Sequence, residues 1–73
     1  MVDTNKLEYL IKESGKTNQD CAEHLGITYQ SFLNKKRNVT EFKYSEIVKL
    51  ADFIGIGVDD RVFFAGQVEL KET

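Results

Sequence analysis

The sequence predicts a compact all-α domain of four to five short helices, with residues 1–73 forming a single unit. Three observations carry that expectation. Capping residues and glycines follow each other at short intervals, with Thr17 before Gly26, Thr28 two residues after it, and Gly55 and Gly57 further on. Between them, apolar residues recur three and four apart, the spacing of one helix face. Proline is absent, so no ring interrupts a helix.

The first helix is expected to be capped by Thr4 and to place Leu7, Leu10 and Ile11 on one face, with Ser14-Gly15 ending it. Thr17-Asn18-Gln19-Asp20 reads as a capping box: a threonine hydroxyl accepts from the N–H three residues on, and Asp20 reaches back. The following turns direct Cys21, Ala22 and Leu25 inward, and Gly26 stops them. Thr28 then caps a third helix, Tyr29 to about Lys36, anchored by Phe32. Arg37-Asn38-Val39-Thr40 has no apolar period and reads as a loop. A fourth helix starts near Lys43–Ser45, with Ile47, Val48, Leu50, Ala51 and Ile54 as its apolar face. The end of the chain has two readings. One is a short helix capped near Asp59; the other pairs Arg61–Phe64 with Gln67–Leu70 as a short C-terminal β-hairpin, the tail starting at about residue 65.

Composition narrows the function. The chain has 41% hydrophobic and 30% charged residues, ordinary for a folded domain. So short a chain buries a small core and has little wall for a deep catalytic pocket, so an enzyme is the least favoured class. The single cysteine, Cys21, excludes an internal disulfide framework and a multi-cysteine zinc site. Cys21 and His24 lie three apart on one helix, but two ligands are too few for a metal and lack the orienting group a nucleophile needs. No metal and no cofactor are expected. No apolar run approaches the roughly 18 residues of a membrane span, and no basic-then-apolar leader opens the chain, so the expectation is a cytoplasmic protein with no membrane partner.

The net charge of −2 conceals an uneven distribution. Residues 28–43 carry Lys35, Lys36, Arg37 and Lys43 against Glu41 alone, between two acidic flanks. A local field of that kind, rather than net charge, decides whether a phosphate is attracted.

The stretch from Thr17 to Asn38, TNQDCAEHLGITYQSFLNKKRN, resembles the helix-turn-helix of the lambda-repressor and Cro family of small bacterial and phage transcriptional regulators. Ala22 matches the small residue at the helix contact, Gly26 the turn glycine, Ile27 the buried turn residue and Phe32 the anchor of the second helix. The later segment Leu50–Gly55 followed by Val58-Asp59-Asp60 looks like the family's fourth helix and the start of its fifth. The likeness spans roughly residues 4 to 64, with the helix-turn-helix at 17–37. It implies a domain that regulates transcription by binding double-stranded DNA, as a repressor or related factor and commonly as a homodimer. At the matching positions Tyr29, Gln30 and Asn34 would contact bases. Thr17, Asn18, Thr28, Lys35, Lys36, Arg37 and Lys43 would contact phosphates.

Elementary chemistry runs the same way. A major groove about 12 Å wide admits one helix, which a second must brace. Glutamine and asparagine pair bidentately with adenine, and a tyrosine donates to phosphate or packs on a thymine methyl. The bland alternatives are a solvated polar face for Gln30 and Asn34, and macrodipole complementation for the lysine run. Asn18 stands where the family commonly has glutamine. Leu33 stands where a polar residue is usual, and Lys35 where an apolar one packs inward. Leu33 therefore either turns into the core or lies exposed beside Tyr29. The second case would suit a protein partner, giving a modulator or antirepressor that binds a repressor protein through the same helix. Phe63-Phe64 is most simply core closure; with Leu33 it forms the alternative candidate surface for a partner or a second copy.

Overall fold

A computed structural model of the chain describes residues 1–57 and 62–63. Four helices follow in order: α1 (Thr4–Glu13), α2 (Asn18–Leu25), α3 (Tyr29–Lys36) and α4 (Tyr44–Ile54). No strand occurs among the described residues, and no helix there is long and apolar enough to cross a membrane. Of the chain-end readings, the Asp59 cap and the Gln67–Leu70 strand fall outside the described residues, while Val62 and Phe63 lie in a turn.

Local chemistry explains most helix ends. At α1 the cap is Asp3 rather than Thr4: its carboxylate accepts from the Lys6 N–H at 3.1 Å, and Thr4 is the first helical residue. The correction has a simple cause, since the Thr4 hydroxyl is engaged elsewhere, donating to the Lys36 carbonyl at 2.7 Å. The Thr17–Asp20 capping box is complete, with both bonds at 3.0 Å. Gly26 ends α2 at φ +74°, a left-handed conformation that costs a residue with a Cβ, and the Ile27 N–H returns to the Ala22 carbonyl. Thr28 Oγ1 accepts from the Ser31 N–H at 3.0 Å and starts α3. Lys43 has no oxygen with which to cap α4, so Glu46 supplies the bond from inside, accepting the Lys43 N–H at 2.8 Å.

Each helix buries one stripe. Leu7 and Ile11 from α1, Cys21, Ala22 and Leu25 from α2, Phe32 from α3, and Ile47, Leu50, Ala51 and Ile54 from α4 meet in one core. Val2, Val62 and Phe63 close it. Phe42 stands edge-on to both Phe32 and Phe63, with centroids 6.0 and 6.5 Å apart. α2 packs against both α3 and α4. Val48, expected on the inner face of α4, is 41% exposed. Residues 47, 50, 51 and 54 lie within a narrow arc at 100° per residue, and position 48 falls outside it.

Candidate nucleic-acid interface

The connection between α2 and α3 is Gly26-Ile27-Thr28, with Ile27 half-buried against the core. Both ends of that turn are fixed by bonds spanning three to five residues, so α3 leaves α2 in one direction. Phe32, fully buried, pins α3 from beneath. The residues a helix turns away from such an anchor are the ones on offer to a partner.

Tyr29 (45% exposed) and Gln30 (exposed) begin that outer surface, and Asn34 is half-buried one turn on. Gln30 Nε2 donates to Asn34 Oδ1 at 3.1 Å, so the two carboxamides stand side by side on adjacent turns. Thr17 and Thr28 are exposed, and each hydroxyl, while accepting its cap bond, keeps a proton to donate. Asn18 is half-buried and shares a surface depression with Lys12, Lys16, Thr17 and Glu8. Lys12 and Lys16 were not among the residues singled out by sequence. Their signal is their place in the last turn of α1 and the link after it, immediately ahead of the α2 N-terminus, where anions are favoured.

The basic block divides in two. Arg37 and Lys43 are exposed. Lys35 and Lys36 are committed inside the molecule, which corrects their assignment as free phosphate contacts. Lys36 is 3% exposed, its ammonium 2.9 Å from Glu8 Oε2 on α1. The Lys35 ammonium lies 3.0 Å from Glu46 Oε1 and 3.1 Å from the Glu41 carbonyl. The cause is periodicity: positions three and four after Phe32 share its face, so both stems run along the core and each ammonium meets a carboxylate there. The carboxylates respond. The Lys36 hydrogen bond, reinforced by its charge, holds Glu8 below the usual carboxylate range. At Glu46, burial alone would raise the carboxyl, but the Lys43 N–H and the Lys35 ammonium outweigh it and leave it lowered.

Leu33 takes neither extreme the sequence left open. It is half-buried, outside the core-packed set among the described residues, and one turn from Tyr29. Phe63, the other half of the candidate partner surface, is only 2% exposed and belongs to the core; Phe64 lies outside the described residues. Phe63 enters the core edge-on to Phe42. Cys21 is fully buried, and burial, with Asp20 adding, pushes its thiol up to about 11. His24 is exposed and stacks on Phe53 at 4.2 Å, whose ring also lies 5.0 Å from the Lys16 ammonium. No cluster of three metal-ligating side chains occurs among the described residues. No protein-family model, curated protein sequence or solved structure matches this chain.

Proposed function

We propose that this chain is a sequence-specific DNA-binding regulator of transcription, of the lambda-repressor and Cro kind, that lays α3 in the major groove. One observation carries the reading: α3 is pinned from beneath by Phe32, and its outer face offers Tyr29 and the bonded pair Gln30–Asn34. Two carboxamides on successive turns suit neighbouring base edges, each able to pair with adenine. Arg37 and Lys43 at one end of α3, and Thr17, Asn18, Lys12 and Lys16 around the start of α2, supply phosphate contacts. Lys35 and Lys36 serve the fold and contribute to DNA only through the long-range field.

A second reading draws on a specific observation. With two of its four cations paired internally, the block between residues 28 and 43 has little charge to spare, and Tyr29 and Leu33 form an apolar strip one turn long. That strip would suit a protein surface, as in a modulator that binds a repressor. A gel-shift experiment with random-sequence and selected duplexes at two salt concentrations separates the two. A groove reader binds DNA and weakens steeply as salt rises. A protein with no DNA affinity at low salt, whose capture of a repressor is lost in Leu33→Glu, is a modulator.

A further inference from the structure

α3 ends on an asparagine where the other helices end on glycine. Asn38 holds φ +66° and is the one non-glycine residue with positive φ among the described residues. Its N–H donates to the Lys35 carbonyl at 3.2 Å, and the Val39 N–H to the Asn34 carbonyl at 2.8 Å. Those are the paired closing bonds of a Schellman stop. Gly15, Gly26 and Gly55 take the left-handed position after α1, α2 and α4.

What asparagine adds over glycine is a carboxamide, and here both ends of it are used. Asn38 Oδ1 accepts from the Val2 N–H at 2.8 Å, and Nδ2 donates to the Val2 carbonyl at 3.0 Å. The side chain thus pairs with Val2 as a neighbouring strand residue would, exchanging a donor and an acceptor. The rest of the N-terminal segment is tied as closely. Val2 is 6% exposed, the Asp3 N–H donates to the Val62 carbonyl at 2.7 Å, and the Thr4 hydroxyl donates to the Lys36 carbonyl. Three of these four bonds end on the last residue of α3 or just beyond it. The closure also reaches Asn34 itself, whose carbonyl accepts from both Val39 and Thr40 N–H groups. α3 is therefore held at its start by the Thr28 turn and at its end by Val2 and Thr4.

We propose that Asn38 is a positioning residue for base reading: it docks the Met1–Thr4 segment on the end of α3 and so fixes the angle at which Gln30 and Asn34 meet the groove. This inference rests on the DNA-binding reading above. Asn38 touches no base in this scheme and acts through Asn34 and the helix end.

The test begins by selecting a preferred duplex from a randomised library with the wild-type chain. Affinities for that duplex and for a random-sequence duplex are then measured for wild type, Asn38→Gly and Thr4→Val. Glycine keeps the backbone conformation and removes only the carboxamide. Asn38→Gly is expected to retain its helix content and bind random duplex within about twofold of wild type. Its preference for the selected duplex should fall about tenfold, the worth of one misread base pair. Thr4→Val should shift preference in the same direction by less. Unchanged preference in Asn38→Gly, or an equal loss on both duplexes that merely tracks stability, overturns the proposal. Should Asn38→Gly not fold, Thr4→Val decides, and wild-type preference in it overturns the proposal. Should the wild type select no duplex, the DNA reading fails by itself. Backbone chemical shifts of residues 30–34 in Asn38→Gly then decide the positioning role: displaced shifts sustain it and unchanged shifts overturn it.

Discussion

Replacing Lys36 with methionine tests how this fold uses its basic block. The ammonium is buried, with the side chain 3% exposed, and its partner Glu8 is 53% exposed. Taking an ammonium out of water costs several kcal/mol, and attraction to a carboxylate that stays half in solvent offsets it weakly. Methionine keeps an unbranched stem of similar volume in the same place and removes the charge. Glu8 is then left in water, where it is hydrated rather than stranded. Stability should be unchanged or rise by about 1 kcal/mol, the low end for apolar replacement of a buried ion pair. At this chain length a rise of that size lifts Tm by about 4–8 °C. Glu8→Ala is the reciprocal change and should destabilise, because it leaves the buried ammonium without its partner. Urea and thermal unfolding followed by far-ultraviolet circular dichroism measure both. The slope of log affinity against log salt should be the same in Lys36→Met as in wild type. A slope flatter by about 0.9 would mean that Lys36 neutralises a phosphate. That result, or a Lys36→Met chain less stable than Glu8→Ala, refutes the reasoning.

Arg37, exposed at the end of α3, should behave in the opposite way: Arg37→Ala flattens the salt slope by about 0.9 with little change in unfolding, read from DNA titrations at several salt concentrations. Gly26→Ala should cost about 1–2 kcal/mol in urea unfolding. No atom lies within 4 Å of the Cβ it adds, so the left-handed backbone is the whole penalty. Glu8 and Glu46 both titrate below their ordinary value of 4.5 in the folded chain. Their contribution is therefore complete above that pH and lost as pH falls through the lowered values, freeing Lys36 and Lys35. Urea midpoints should be flat near neutrality and drop below about pH 4.5, with a shallower drop in Glu46→Gln.

The helices were legible because their boundaries are local chemistry. Thr17 with Asp20, Thr28 with Ser31, and Gly26 with its two neighbours close their bonds within a turn, so residue order suffices to place them. Thr4 misled for an instructive reason. Asp3 and Thr4 are both competent caps, and the choice went to Asp3 because the Thr4 hydroxyl found a carbonyl 32 residues away. Val48 shares the apolarity of the inner face but not its direction, because Ile47, Leu50, Ala51 and Ile54 already complete the arc. The lysine run carried a readable signal that charge counting obscured: three and four residues after Phe32, Lys35 and Lys36 share its inward side.

By itself the sequence determined four helices, the caps at Thr17 and Thr28, the tight turn after α2, and Tyr29, Gln30 and Asn34 as the polar group carried by α3. Each follows from residues within about one helical turn of one another, where spacing fixes geometry. Only the tertiary structure decided which charges are spent. Lys36 meets Glu8 from 28 residues away, and Asn38 meets Val2 from 36. Those partners depend on which surfaces α1, α3 and the N-terminal segment bring together. That choice belongs to the shared core, where burying Phe32 and Phe63 outweighs the preference of any single side chain for water.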